Sequence, residues 1–281
     1  RPGRIEIHIE INNLDKDARE HFIRRIIEDK PTSGNFDVNK LLMYTAGFTG
    51  AQLELLGKEA SFYCLRHAIE AITQEILIEQ INIIKYGDKQ FYLSAEKMFE
   101  ETAIYEAGRA VASKILMPHV HIEHVSLTPR DNNEHFVSHN YNDVQDNMTI
   151  KDFKNKISVS LAGRTSQIKH FGDIDGVNSG ASNDLQQATR DAYTAIAHYG
   201  MDKEVGYINI NGVVDANGKA VASKGTQHYH TKIDAALERW MLEGEKNITD
   251  LVNEHWSTIQ NLSKVLLEKE IIYEDELNEM L

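Results

Sequence analysis

The chain of 281 residues has one cysteine, Cys64, so an internal disulfide cannot form. Cys64 falls within an apolar helical stripe and reads as a small core residue of a protein folded in a reducing compartment. Long apolar runs are also missing. A membrane span needs roughly 18 to 20 apolar residues, and the longest apolar signal, around Ile76 to Ile84, is broken by Glu79 and Gln80. Positive charge is scarce: 30 Lys and Arg stand against 43 Asp and Glu, for a net charge of −13. A surface of that sign repels phosphate backbones and anionic lipid heads, which weighs against nucleic acid and direct membrane-surface binding. No signal peptide precedes the first helix, and the start Arg1-Pro2-Gly3-Arg4, without an initiator methionine, reads as the interior of a longer chain.

What is there is ordinary globular composition, 41% hydrophobic and 26% charged, in a length that suits one large or two medium domains. Helical patterning dominates. Asp15 is placed to cap a helix carrying Ala18, Phe22, Ile23, Ile26 and Ile27 that ends before Pro31. Asp37 can cap a short helix through Leu41 and Leu42. Thr49 and Gln52 form a capping box ahead of the stripe Leu53, Leu56, Ala60, Tyr63, Cys64 and His67. A fourth amphipathic segment runs from Thr73 to Lys85 and stops at Gly87. Four helices in about ninety residues make a small bundle with its own core.

Residues 86–94 read as a linker, because Gly87, Asp88, Lys89 and Gln90 break the periodicity. A helix then runs from near Ser94 to Met117 and is ended by Pro118. Extended pieces are expected at Val125 and Leu127 and at Ile208 and Ile210, with a hairpin turn at Asp215 to Gly218. Thr149 and Asp152 box a helix carrying Ile150, Phe153, Ile157 and Leu161. Leu185, Ala188, Ala192, Ala195 and Ile196 mark the next, closed by Gly200. Two long helices, near 230–243 and 248–268, complete a mainly α chain of two domains with a small β element.

Several stretches resemble, in colinear order, the FtsH family of membrane-anchored AAA+ zinc proteases. Arg1-Pro2-Gly3-Arg4 resembles the end of the AAA+ second region of homology. Gly47-Phe48-Thr49-Gly50-Ala51-Gln52-Leu53 with Lys58-Glu59-Ala60 resembles the lid-helix signature. Tyr105-Glu106-Ala107-Gly108-Arg109 stands where the family carries HEAGH, and Val125 to Arg130 is similar to the strand that follows. Ala162-Gly163-Arg164, Ser179 to Asp184, Tyr199-Gly200-Met201 and Leu266 to Glu270 match four further blocks. The resemblance implies a helical ATPase lid over residues 1–90 and a peptidase domain over 93–281. It also implies a homo- or hetero-hexamer acting on protein clients with ATP and Mg²⁺. The expected place is the cytoplasmic or organelle-matrix face of a membrane, reached through an N-terminal anchor that this chain does not contain. No G-x-x-x-x-G-K-[ST] occurs, so this piece alone is not expected to hydrolyse ATP.

In an HExxH helix two histidines at i and i+4 share one face and grip zinc, while the glutamate acts as base for the bound water. This chain keeps Glu106 but carries Tyr105 and Arg109 in the two ligand positions; the resemblance maps the family's third ligand onto Asp184. A phenol is a rare zinc ligand, and a guanidinium repels a dication. Zinc is therefore expected to be absent, with Arg109 in the vacated volume bridging Asp184 or Glu106, and Glu106 a relic base. The ordinary alternative is an i,i+3 surface ion pair. Gln167 and Ile168 stand where the family has an acidic pair, and Asp131 to His135 lacks the glycines of its substrate-docking strand.

Histidine pairs elsewhere (His119, His121 and His124; His135 and His139; His228 and His230) have ligand-like spacing but read as solvated surface groups. Arg1 and Arg4 resemble arginine fingers, and Gly50 and Ala51 lie where the lid meets adenine in relatives. Two functional readings follow. One is a pseudoprotease that unfolds or remodels proteins, or that joins a ring as a non-catalytic subunit. The other is an active ATP-dependent zinc metalloendopeptidase with rewired ligands. A binding module unrelated to the ATPase is the third possibility, and it predicts no Walker motif upstream.

Overall fold

A computed structural model of the chain describes residues 14–89, 96–128, 136–140, 147–210 and 224–281. Their contacts divide the chain into two compact units, residues 14–89 and the described residues from 96 onward. Arg1, Arg4, the segment Asp131 to His135 and the hairpin turn at Asp215 to Gly218 lie outside the described residues.

The first unit is built from α1 (Lys16–Asp29), α2 (Val38–Tyr44), α3 (Gly50–His67) and α4 (Gln74–Tyr86). Each begins where a short polar side chain satisfies an amide that the helix leaves without a partner. Asp15 accepts from Ala18 N–H, Asp37 from Lys40 N–H and Thr73 from Ile76 N–H, while Thr49 and Gln52 cap reciprocally. The apolar stripes meet in a core containing Ile23, Leu41, Leu53, Leu56, Ile72, Leu77 and Ile81. Cys64 is buried there as a free thiol.

The second unit surrounds two crossed helices, α5 (Glu96–Leu116) and α6 (Ile150–Asp175). Both are rich in small residues where they meet, and glycine is required at the crossing. A Cβ on Gly108 would lie 2.0 Å from Ser166 Oγ, and one on Gly163 would lie 2.6 Å from the Tyr105 ring. Against this pair pack α7 (Ser182–Tyr193), α8 (Lys224–Glu254) and α9 (Trp256–Lys269). Near the end of α6, Gly172 takes φ 86° and bends the helix, a conformation that would strain any residue with a side chain.

A small antiparallel sheet completes the unit, in the order β2 (Phe136–Asn140), β1 (His121–Ser126), β3 (Ile271–Tyr273). The short helix α10 (Glu274–Met280) follows β3. The chain is therefore mainly α with a minor sheet.

Three local expectations fail. The two long C-terminal helices do not divide between 243 and 248. Instead α8 runs unbroken through Gly244 and the break falls at His255. Buried Ile233, Ala236, Trp240, Ile248, Leu251 and Val252 keep one helical stripe across that point. Gly244 is there because a Cβ would lie 2.9 Å from Ile157 of α6. Ile208 and Ile210 form no strand; they pack, partly buried, against the core. The histidines near the sheet are not loop groups either. His121 and His124 belong to β1, with His124 buried beside the Tyr273 ring and His121 bonded to Glu274. His119, His228 and His230 are exposed, the latter two on α8.

Candidate relic metal centre

The helix α5 presents Tyr105, Glu106 and Arg109 within a little over one turn, at i, i+1 and i+4. Residues at i and i+4 share one helix face. Asp184 enters from the first turn of α7, where the positive end of a helix dipole suits a carboxylate. The structure thus brings four of the sequence-predicted residues together. Gly50 and Ala51 open α3 in the first unit and take no part in this cluster.

Arg109 lies between the two acids. Its Nη1 is 3.3 Å from Glu106 Oε2 and its Nε is 3.5 Å from Asp184 Oδ2. The Tyr105 hydroxyl donates to the same Asp184 Oδ2, and the Arg109 guanidinium carbon stands 6.0 Å from the Tyr105 ring centroid. The ring fits over Gly163 of α6, where no Cβ would be tolerated. Glu106 also accepts a hydrogen bond from the backbone N–H of Val137 in β2. One face of α5 therefore reaches α6, α7 and β2.

The cluster is largely dry: side-chain exposure is 3% for Glu106, 18% for Arg109 and 20% for Asp184. These are not surface charges, so the ordinary i,i+3 exposed pair does not describe Glu106 and Arg109. Burial pushes the Glu106 carboxyl up to about 7, with the Asp184 charge adding to the rise, while Arg109 and the Val137 N–H pull it down. Burial, followed by the charge of Asp184, drives the Tyr105 phenol well above its ordinary range. Tyr105 is thus a neutral donor, a role that its treatment as a poor ligand did not reveal.

Gln167 of α6 is engaged through both ends of its amide. Its Nε2 donates to the Glu101 carbonyl at 3.0 Å, and its Oε1 accepts from Asn178 Nδ2 at 3.3 Å. An amide gives and accepts here, which a carboxylate in the same place would not do. Among the described residues, no three or more His, Cys, Asp and Glu side chains are gathered in a way that would hold a metal ion. Among the described residues, too, no helix is long and apolar enough to cross a membrane.

A second buried acid lies away from this cluster. Asp202 accepts from Arg239 Nη2 at 2.7 Å and Trp240 Nε1 at 2.9 Å, and from the N–H groups of Glu204 and Val205. It ties the loop after Gly200 to α8. Sequence reasoning passed over it, because its side-chain partners Arg239 and Trp240 lie 37 and 38 residues further along and leave no spacing signal to find.

Comparison with known proteins places these features in a family. Residues 92–280 match the family described as Peptidase family M41. The chain is 30% identical to the ATP-dependent zinc metalloprotease FtsH 1 of Alkaliphilus metalliredigens, over 100% of this chain and 46% of that protein. It is 31% identical to the ATP-dependent zinc metalloprotease FtsH of Aquifex aeolicus, over 100% and 44%. Similarity to the chloroplastic FTSH 1 of Arabidopsis thaliana is 25%, over 97% and 39%. The chain thus spans less than half the length of these relatives. On the family match across two thirds of its residues and the colinear relatives, the chain is an FtsH-like protease homologue and belongs to peptidase family M41.

Proposed function

We propose that the second unit is a peptidase domain that no longer cleaves peptides, carried by an ATP-driven protein that unfolds or remodels other proteins or serves as a non-catalytic subunit of a ring. The observation that carries this reading is the Arg109 guanidinium standing between Glu106 and Asp184.

The residues do not fit a zinc ion. Arginine keeps its proton at any pH the protein survives and has no lone pair to give. Tyrosine would have to lose a proton that burial and Asp184 hold in place. At about 4 Å and an effective dielectric near 20, a fixed unit charge repels each unit of metal charge by about 4 kcal/mol, or about 8 for a dication. The two remaining carboxylates are already engaged by Arg109 and the Tyr105 hydroxyl. Without a metal to activate water, Glu106 has no nucleophile to deprotonate, and its role is structural. Gln167 and Ile168, in place of the family's acidic pair, are consistent with relaxed selection on cleavage.

In this reading residues 1–90 form the helical lid of an AAA+ ATPase and residues 93–281 the peptidase domain. Arg1 and Arg4 are finger candidates that reach a neighbouring subunit's ATP, and Gly50 and Ala51 line its adenine. ATP and Mg²⁺ belong to the intact protein, as do assembly into a homo- or hetero-hexamer and anchoring on the cytoplasmic or matrix face of a membrane. The peptidase unit then works as an assembly platform rather than as an enzyme.

The test is metal analysis of the intact protein together with cleavage of casein in the presence and absence of a chelator. Far less than one zinc per chain, and no chelator-sensitive cleavage in a preparation that hydrolyses ATP, is the expected result. Stoichiometric zinc with chelator-sensitive cleavage would establish a working metalloendopeptidase with rewired ligands instead.

A further inference from the structure

We infer that Arg109 is a resident structural cation, which with Tyr105 ties α7 to α5 and makes the fold of the second unit independent of metal. This inference rests on the metal-free reading of the site and goes further, from what the site does not do to what it does.

The geometry of the helices calls for such a tie. Among the described residues, α7 packs along α6 and α8, whereas it makes no extended backbone approach to α5. The gap between α5 and Asp184 is crossed by side chains: the Tyr105 hydroxyl and the Arg109 Nε both reach Asp184 Oδ2. In a zinc site the ion itself fills that gap. A ligand nitrogen and a carboxylate oxygen, each about 2 Å from a tetrahedral metal, are held about 3.3 Å apart without touching one another. Tyrosine and arginine are both longer than histidine: the Tyr105 hydroxyl closes the distance with a hydrogen bond to Asp184 Oδ2, and the Arg109 Nε approaches the same oxygen as an ion-pair contact at 3.5 Å. The two replacements thus change together in the direction that a missing ion demands: both lengthen, and one brings a positive charge.

Charge makes the same case. Glu106 is buried and Asp184 partly buried beside it, and removing the only cation described between them would leave two acids close together, one of them shut away from water. Arginine suits the position because its planar fork offers separate nitrogens to the two acids, which a lysine cannot do in the same geometry. The ring of Tyr105 adds a mechanical component. It seats in the space that Gly163 leaves, so the same residue that reaches α7 is also wedged against α6.

Thermal melting of the 281-residue chain, followed by tryptophan fluorescence, tests the tie, because Trp240 and Trp256 lie on α8 and α9 of this unit. The wild-type Tm is expected to be the same in EDTA and in added zinc. Arg109→Met is expected to lower it by about 10 °C, the loss of one partner of a buried pair. Arg109→Lys, which keeps the charge and loses the fork, falls between. The triple variant Arg109→Met, Glu106→Gln, Asp184→Asn, in which no charge is left unpaired, is expected to recover most of the loss, including in the case where Arg109→Met alone does not fold. In Tyr105→His, Arg109→His the tie is replaced by two short ligands, and Tm becomes dependent on zinc. An Arg109→Met variant melting within about 2 °C of an EDTA-insensitive wild type would overturn the tie and leave the metal-free reading standing. A triple variant that fails to fold would overturn it equally. A wild type whose Tm drops in EDTA would overturn both.

Discussion

Glu106 and Asp202 are both buried acids that face an arginine within one helical unit, yet they are displaced in opposite directions. Burial pushes both upward. At Asp202 the hydrogen bonds of Arg239, Trp240 and two backbone N–H groups outweigh it, and the carboxyl sits below its ordinary range. At Glu106 only Arg109 and the Val137 N–H pull down, Asp184 pushes up, and the group comes to rest at about 7. Glu106 is also the more deeply desolvated of the two, so depth of burial and the smaller number of donors act together there. Asp202 is fully supplied by the chain that surrounds it. Glu106 is a buried carboxylate with fewer donors than Asp202 has.

The largest way to test that contrast is Asp202→Ala. It strips four donors of their acceptor, two of them backbone amides in a tight loop, and the expected loss of unfolding free energy is about 4 kcal/mol in urea titrations. A loss under about 1 kcal/mol would mean that water supplies those donors and that the two acids differ less than their partners imply.

A smaller effect separates the two acids by their pH dependence. Glu106 in the unfolded chain has its ordinary value of 4.5, so between about 4.5 and 7 the folded state holds more protons than the unfolded one. Its contribution to stability is present below 4.5, declines as pH rises, and is gone above about 7. Asp202 behaves oppositely: its contribution is present above its ordinary value of 3.8 and is lost only as pH falls through its lowered value. Glu106→Gln should therefore flatten the stability profile between pH 4.5 and 7 and raise stability at pH 8 by on the order of 2 kcal/mol. Asp202→Asn should leave that window alone. A profile unchanged by Glu106→Gln would place the titrating group elsewhere.

The smallest effect is Tyr105→Phe. It removes one hydrogen bond to Asp184 while Arg109 and the ring's seat over Gly163 stay, and about 1 kcal/mol of stability should be lost. A loss near that of Asp202→Ala would mean that the phenol, rather than the guanidinium, carries most of the link to α7.

Much of the fold was legible because its signals are local. Asp15, Asp37, Thr49 with Gln52, Thr73, and Thr149 with Asp152 announce helix starts within four residues, and each is a cap in the structure. The sheet was harder to read. Apart from His121, every residue of β1 is buried, so the alternation that betrays a strand is absent, and β3 has three residues. The expected boundary at 243 falls beside Gly244, and glycine's two uses, ending a helix and admitting a neighbour, are the same letter. At the site, the spacing of Tyr105, Glu106 and Arg109 on one helix could be read directly, and Asp184, 75 residues further on, only through the family resemblance. The Val137 N–H was not legible at all, since every residue but proline carries one.

The crossing of α5 and α6 at Gly108 and Gly163 has a consequence for the chain's descent. A side chain at either glycine would meet Ser166, the Ala162 carbonyl or the Tyr105 ring, so the floor beneath the cluster cannot be enlarged there without moving a neighbour. Variation is channelled into the side chains that stand on that floor, whose chemistry can be exchanged while the helices beneath keep their places. A lineage can in this way exchange the chemistry of a site without rebuilding the scaffold beneath it.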